Sequence, residues 1–306
     1  MKIQFIKREE INDILWDECI SNSLTPLIYG KTWYLDLVCD EWNGLVMDNY
    51  YAVMPLPLKK KYGLKYLTHP QFIQQLGIFV NKELSNEIIE KFFQLNPYFF
   101  TKIKVNKYTY PGTENTTATE LPNYVLKLNS SYDHIKEKFS ANTKRNIAKS
   151  AKYSLTLFSN TDLVEFKSFY ERYSKINTDR IYIKHLNEFI EVCLKKGKGK
   201  IYSCKDTDHN ILSTVFILKE DNRLYYHTAV TSEPGFSKRA SFFFVSELIK
   251  EYADTNNILD FEGSQVDGIA RFFKGFGAIY SPYFLIKNTI NINNVKKLIQ
   301  KSIFRA

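Results

Sequence analysis

Apolar and polar positions divide the chain into short elements of two kinds. Residues 2–6 read as a strand, and residues 9–20 repeat apolar side chains at Ile11, Ile14, Leu15 and Cys19, a helical spacing. A second short helix is predicted over 31–40, then strands over 43–48 and 50–58. The second of these contains Pro55 and Pro57. Proline has no N–H to give a ladder, so this strand must lie at an edge or lead into a loop. Strand 75–80, helix 83–95 and strand 98–105 complete an α/β first half, and the polar, turn-rich residues 106–120 read as a loop between halves.

The same grammar returns from residue 123. Strand 123–128 leads to helices across 131–151, and strand 154–158 precedes a helix over 162–175. Asp162 and Glu165 resemble a capping box at its start, with Leu163, Phe166, Tyr170 and Tyr173 as its buried stripe. A helix near 184–195 is followed by three antiparallel strands, 199–205, 210–219 and 223–230, joined by short polar turns. Loop 231–237 opens a helix over 238–254. Strand 257–261, a motif-bearing segment over 262–278, strand 282–287 and a helix over 293–303 finish the chain. The expected class is α+β in two structural repeats, residues 1–122 and 123–306, each a mostly antiparallel mixed sheet flanked by helices.

Composition narrows the partners. In 306 residues, 44% are hydrophobic and 25% charged, enough apolar material for a full core. The 21 Tyr and 23 Phe fill cores or line grooves for flat or extended ligands. The net charge of +9 either serves solubility or draws anions such as nucleotides, phosphorylated carriers, tRNA or acidic lipid headgroups. The four cysteines show no CxxC spacing and the five histidines no HExxH, so neither a metal site nor a disulfide framework is expected, and no feature calls for DNA. The charged first ten residues are unlike a secretory leader, and no apolar run approaches the roughly 20 residues that span a bilayer. The expected location is the cytoplasm or the inner face of a membrane. The 293–303 helix sets Val295, Leu298, Ile299 and Ile303 against Lys296, Lys297 and Lys301, a pattern that suits peripheral membrane contact or docking on the core.

Two segments carry most of the chemistry. In the first, Ser140 to Lys152, the cations Arg145, Lys149 and Lys152 share one helical face while Ile147, Ala148 and Ala151 are expected to turn inward. Such a row grips a phosphate chain or forms a solvated face. The second, Leu259 to Ala278, reads Leu-Asp-Phe-Glu-Gly-Ser-Gln-Val-Asp-Gly-Ile-Ala-Arg-Phe-Phe-Lys-Gly-Phe-Gly-Ala. Gly263 and Gly268 mark places where the backbone turns sharply or approaches a ligand. Lys274, between Phe273 and Phe276, is expected to be partly desolvated and to bind an anion or stabilise an oxyanion. Glu262 and Asp267, flanking Gly263, are candidate bases, and His227 with Tyr226 as acid is a second candidate. No serine or cysteine nucleophile motif is present.

The two segments resemble those of the Fem-type tandem GNAT acyltransferases. Thr143, Arg145, Asn146, Ile147 and Lys149 carry the likeness in the first, and Gly263, Gly268, Phe273, Lys274, Phe276 and Gly277 in the second. The resemblance implies a tandem GNAT fold and transfer of an acyl or aminoacyl group from acyl-coenzyme A or aminoacyl-tRNA to an amine, such as that of a cell-envelope precursor, with no tightly bound cofactor. The acyltransferase reading predicts a cleft between the halves lined by Arg145, Glu262, Arg271 and Lys274, with Arg145, Asn146, Lys149, Arg271 and Tyr226 as candidate substrate-binding residues and Glu262, Asp267, Lys274 and His227 as candidate catalytic ones. In GNAT enzymes a glycine-rich loop opening a helix holds the pyrophosphate of coenzyme A. The run Gly235, Ser237, Lys238, Arg239 stands in that place with one glycine, a departure from the pattern. The helical-arm insertion of some Fem-type relatives has no counterpart. A non-catalytic module binding RNA or an anionic carrier is the alternative.

Overall fold

A computed structural model describes residues 1–99, 102–110, 116–175, 179–263 and 266–288. The predicted helix over 293–303 lies outside them. The chain divides into two compact units, one built from Met1–Leu121 with the segment beginning at Pro282, the other from Pro122–Ser281.

Unit 1 begins with β1 (Ile3–Lys7), α1 (Asp13–Ser21) and α2 (Thr32–Val38). The Asn12 side chain accepts the Ile14 and Leu15 N–H groups and so starts α1. Then come β2 (Glu41–Met47), β3 (Ala52–Lys61), β4 (Leu64–Leu67), β5 (Phe79–Val80), α3 (Asn86–Leu95), β6 (Lys102–Asn106) and β7 (Thr116–Leu121). The order β1-β2-β3-β4 is antiparallel, and β5 also pairs with β3. Leu45, Met54, Leu56, Phe92 and Val105 belong to its core. The hairpin between β3 and β4 turns on Tyr62 and Gly63, both with positive φ, which matches the strand twist.

The prolines required an edge, and the sheet supplies one locally. Pro55 and Pro57 pair with Gly44 and Trp42 of β2, while on the other side β5 meets only Ala52 and Val53, and β4 begins at Leu58. The missing N–H groups therefore interrupt no ladder. Two expectations fail here. Residues 116–121 form a strand rather than loop. The strand expected over 282–287 in the second half is the middle of unit 1's smaller sheet, with β6 and β7 on either side. Burial of Ile286 against Ile103 and Val105 drives this placement, which moves residues 282–288 out of the 123–306 half.

Unit 2 runs β8 (Tyr124–Lys127), α4 (Tyr132–Glu137), α5 (Ala141–Ser150), β9 (Thr156–Ser159), α6 (Leu163–Tyr173), α7 (Arg180–Lys195), β10 (Gly199–Lys205), β11 (Ile211–Glu220), β12 (Arg223–Thr231), α8 (Glu233–Ser237), α9 (Ala240–Tyr252), β13 (Ile258–Asp260), α10 (Asp267–Gly275) and β14 (Ile279–Tyr280). The strand that begins at Tyr283 and ends at Asn288 is β15. The seven strands of unit 2 lie in the order β14-β8-β13-β12-β11-β10-β9, and all neighbours are antiparallel except β12 and β13. One face packs Phe216 against Phe189 of α7, and the other packs Tyr202 and Tyr226 against Phe244 of α9. Among the described residues no helix is long and apolar enough to cross a membrane.

Candidate functional site

β12 and β13 run side by side only where Arg223–Tyr225 meet Ile258–Asp260. Beyond Tyr225 no further strand pairing joins them among the described residues, because the chain turns away at Phe261–Gly263. Glu262 and Gly263 make that turn with φ of 53° and 61°. A Cβ on Gly263 would lie 2.1 Å from the Pro122 carbonyl oxygen, so the backbone approach foreseen for this glycine is to its own chain. Gly268, by contrast, has open space around it and carries no such constraint. Aromatic rings fill the parting of the strands. Tyr226 stands edge-on to Phe244 and Phe273, and Phe261 stacks on Phe273 at 4.4 Å. Burial raises the Tyr226 phenol above its ordinary range, which makes it a poor proton donor.

The motif segment over 262–278 folds largely as α10. Asp267 lies in its first turn, where a carboxylate suits the helix dipole. Arg271 and Lys274 are exposed, and the Lys274 ammonium sits 5.4 Å from the Tyr124 ring centre. The expected desolvation of Lys274 does not occur: Phe273, Gly275 and Phe276 take the inward positions and leave the lysine outward.

α5 abuts the end of α10. Ser140 caps α5 through Thr143 N–H, and its own N–H donates to the Gly275 carbonyl at 2.8 Å. A Cβ on Gly275 would come within 2.4 Å of Thr143 Oγ1, so glycine permits the crossing. The two motifs therefore meet, and the cations of α5 and α10 stand on neighbouring helices. Arg145 donates to Asn142 Oδ1 at 3.0 Å, Asn146 donates to the Asn142 carbonyl, and Lys149 is exposed. Ala148 and Ala151 do not turn inward: the inward stripe is Thr143, Ile147 and Ser150, the i, i+4, i+7 set in register with Gly275.

The corner between α8 and α9 is committed to the protein itself. Gly235 is buried, and a Cβ there would fall 2.2 Å from the Leu212 carbonyl oxygen. Ser232 caps α8, and Ser237 Oγ donates to the Glu233 carbonyl. Lys238 pairs with Asp206 at 2.8 Å, holding that carboxyl below its ordinary range. Arg239 caps α9 in the left-handed region with no side-chain cap bond. No glycine cradle for a pyrophosphate forms here.

His227 is the extra residue of a bulge, between Tyr226 opposite Ile217 and Thr228 opposite Phe216. Its ring lies 5.1 Å from Phe189 and 6.0 Å from Phe216, on the α7 face, whereas Tyr226 lies on the α9 face. The sheet separates this proposed pair. Burial lowers the imidazole to about 4. Sequence reasoning missed the most buried charge of unit 2. Asp260 is fully enclosed, accepts from Asn123 Nδ2 at 3.0 Å and from the Glu262 N–H at 2.9 Å, and pairs with Arg223 at 3.3 Å. Only the parallel register of β12 and β13 brings Arg223 to it, and no local pattern announces that register. Among the described residues no group of three His, Cys, Asp or Glu side chains converges to hold a metal ion.

No protein-family profile matches the sequence, and no curated protein matches it. Solved structures do. One described as FemX superposes with a TM-score of 0.67 at 11% identity, over 98% of this chain and all of that one. A protein of unknown function from Bacteroides thetaiotaomicron gives 0.59 at 10% identity, over 94% and 100%. L-PGS from Bacillus licheniformis gives 0.52 at 8% identity, over 85% and 88%. The chain has the fold of these solved structures, the one described as FemX among them.

Proposed function

We propose that this protein is an acyl- or aminoacyltransferase acting on an amine, with aminoacyl-tRNA as its donor. The observation that carries the reading is the meeting of the two motif helices. α5 presents Lys144, Arg145 and Lys149 with no acidic residue, Lys152 follows it, and α10 adds Arg271 and Lys274. Such a row suits a nucleic-acid backbone. The α8–α9 corner, where acyl-coenzyme A would need a cradle, is closed by its own packing. The acceptor amine would attack the ester carbonyl, forming the amide and releasing the tRNA 3′-hydroxyl. The amine's proton would pass to a carboxylate, with Glu262 beside the Gly263 turn or Asp267 as base. Lys274 would meet the developing oxyanion. The acceptor amine would be that of a cell-envelope precursor; one neighbour is named as a domain of a putative lysylphosphatidylglycerol synthetase from Agrobacterium fabrum, so a lipid hydroxyl is the competing acceptor to test.

The test is deacylation of labelled aminoacyl-tRNA and of acyl-coenzyme A in the presence of amine acceptors, with product mass measured. Lys274→Ala should lower turnover by at least about 100-fold, the usual scale for losing one oxyanion donor, at unchanged melting temperature. Wild-type turnover in that variant would defeat the reading. Because the α8–α9 corner packs Gly235 against the Leu212 carbonyl and offers no glycine-rich donor loop, a second reading is a non-catalytic RNA-binding module. Steeply salt-dependent tRNA binding without turnover of any donor would favour it.

A further inference from the structure

Unit 1 carries a projection that neither its core nor the transferase reading uses. β3 and β4 pair from Leu58 with Leu67 to Lys61 with Leu64, and Tyr62 and Gly63 close the hairpin. Leu58 and Leu67 are its last buried residues, and every residue from Lys59 to Lys65 is exposed. β5 meets β3 only at Ala52 and Val53, well short of this end. The tip therefore stands clear of the core on both faces.

Its composition is not that of an ordinary solvated turn. A two-residue turn with positive φ at both positions favours Asn-Gly or Asp-Gly. Here the first position is Tyr62, held at φ 50°, where a bulky side chain is an outlier. Tyr50 also has positive φ, but its hydroxyl accepts the Asn12 N–H at 2.8 Å. Tyr62 is 93% exposed and makes no hydrogen bond among the described residues. Leu64 beside it is 47% exposed. Lysines surround this apolar tip. Residues paired across the ladder share a face, so Lys59 and Lys61 flank Leu64 on one face, and Lys60 and Lys65 lie opposite each other on the other. Like charges directly opposed weaken a hairpin in isolation. Glu41 meets Lys65, but no carboxylate pairs with Lys59, Lys60 or Lys61 among the described residues. The sequence has no Asp or Glu from Asn49 to Lys82.

We propose that the β3–β4 hairpin docks on an anionic lipid bilayer, with Tyr62 and Leu64 entering the interface and the lysines meeting headgroup phosphates. At about 3.3 Å per strand residue, Lys59 lies about 10 Å behind Tyr62. The lysine ammonium groups thus stay near the charged surface as the tip sinks. An aromatic ring with a polar end suits the interface, and leucine suits the acyl boundary. A nucleic acid fits less well: bases stack on aromatic platforms along a groove, whereas this tip projects and sets an aliphatic side chain beside its ring. The contact stands on unit 1 alone and holds whether or not unit 2 transfers an acyl group.

The full chain would be sedimented with phosphatidylcholine vesicles, with and without about one-third phosphatidylglycerol, and separately titrated with tRNA. Binding should be at least about tenfold stronger to the phosphatidylglycerol vesicles. Each lysine near such a surface strengthens binding about fivefold, so Lys59→Gln, Lys60→Gln and Lys61→Gln together should weaken it at least about tenfold. Tyr62→Asn with Leu64→Thr should weaken it at least about fivefold. That variant should melt at or above the wild-type temperature, because asparagine suits the turn. A tyrosine serving only the fold would not separate these two readouts. Absence of wild-type binding, equal binding to both vesicles, unchanged vesicle affinity in either variant, or loss of tRNA affinity without loss of lipid affinity would each overturn the assignment.

Discussion

Acid should destabilise this protein well above the carboxylate range, through two histidines. His227 among the rings of Phe189 and Phe216, and His69 beside Lys104, both sit near 4 in the fold, against 6.5 in an unfolded chain. Between these values the unfolded chain binds protons that the folded one refuses. Stability is therefore complete above about pH 7 and falls as pH drops through 6.5 towards 4. Integrating one such shift from pH 8 to pH 5 gives about 2 kcal/mol per histidine, the full penalty of about 3 kcal/mol arriving only below pH 4. Against a typical 5–15 kcal/mol for a domain, that is a large fraction, and the two histidines load different units. Urea unfolding from pH 8 to pH 5, with the two Hε1 resonances followed by NMR, would measure it. His227→Phe keeps a ring between Phe189 and Phe216 and should remove about 2 kcal/mol of unit 2's acid sensitivity. A midpoint independent of pH, an unaltered slope in that variant, or a His227 resonance titrating near 6.5 would refute the reasoning.

Other substitutions probe the frame around the motif helices. Asp260→Ala leaves Arg223 buried without this carboxylate and should cost about 3–5 kcal/mol by chemical denaturation, the scale of breaking a buried pair. A loss under about 1 kcal/mol would show the pair to be dispensable. Gly263→Ala meets the Pro122 carbonyl and a left-handed φ together, and should lose at least about 2 kcal/mol, whereas Gly268→Ala, in open space within α10, should gain up to about 1 kcal/mol. Burial pushes the thiols of Cys19, Cys193 and Cys204 up to about 12. Iodoacetamide at pH 8 should therefore label the native chain far more slowly than the same chain in urea.

Much of the architecture was legible because the hydrophobic periods are strong. The meander of β10, β11 and β12 and the cap at Asp162 follow from local patterning alone. The two motifs were visible, but their geometry was not. The run from Asp267 to Gly275 is a helix whose apolar stripe leaves Lys274 outside, and a spacing that reads equally as strand or turn could not say so. Tyr226 and His227 looked like partners because they are adjacent, yet a bulge assigns them to different cores. Gly235 looked like a phosphate contact because only packing against Leu212 explains it. Asp260 with Arg223, and Lys104 with His69, are pairings across distant stretches of chain. They exist only once the sheets have formed.

The placement of β15 bears on how the chain is made. Residues 122–281 are contiguous, so unit 2 holds every strand of its sheet as soon as residue 281 has left the ribosome. Unit 1 emerges first but lacks the strand between β6 and β7 until residues 283–288 follow. The segments of unit 1 that precede unit 2 must wait through its synthesis with the β6 and β7 edges that face β15 uncovered, and are the more exposed to aggregation on the way.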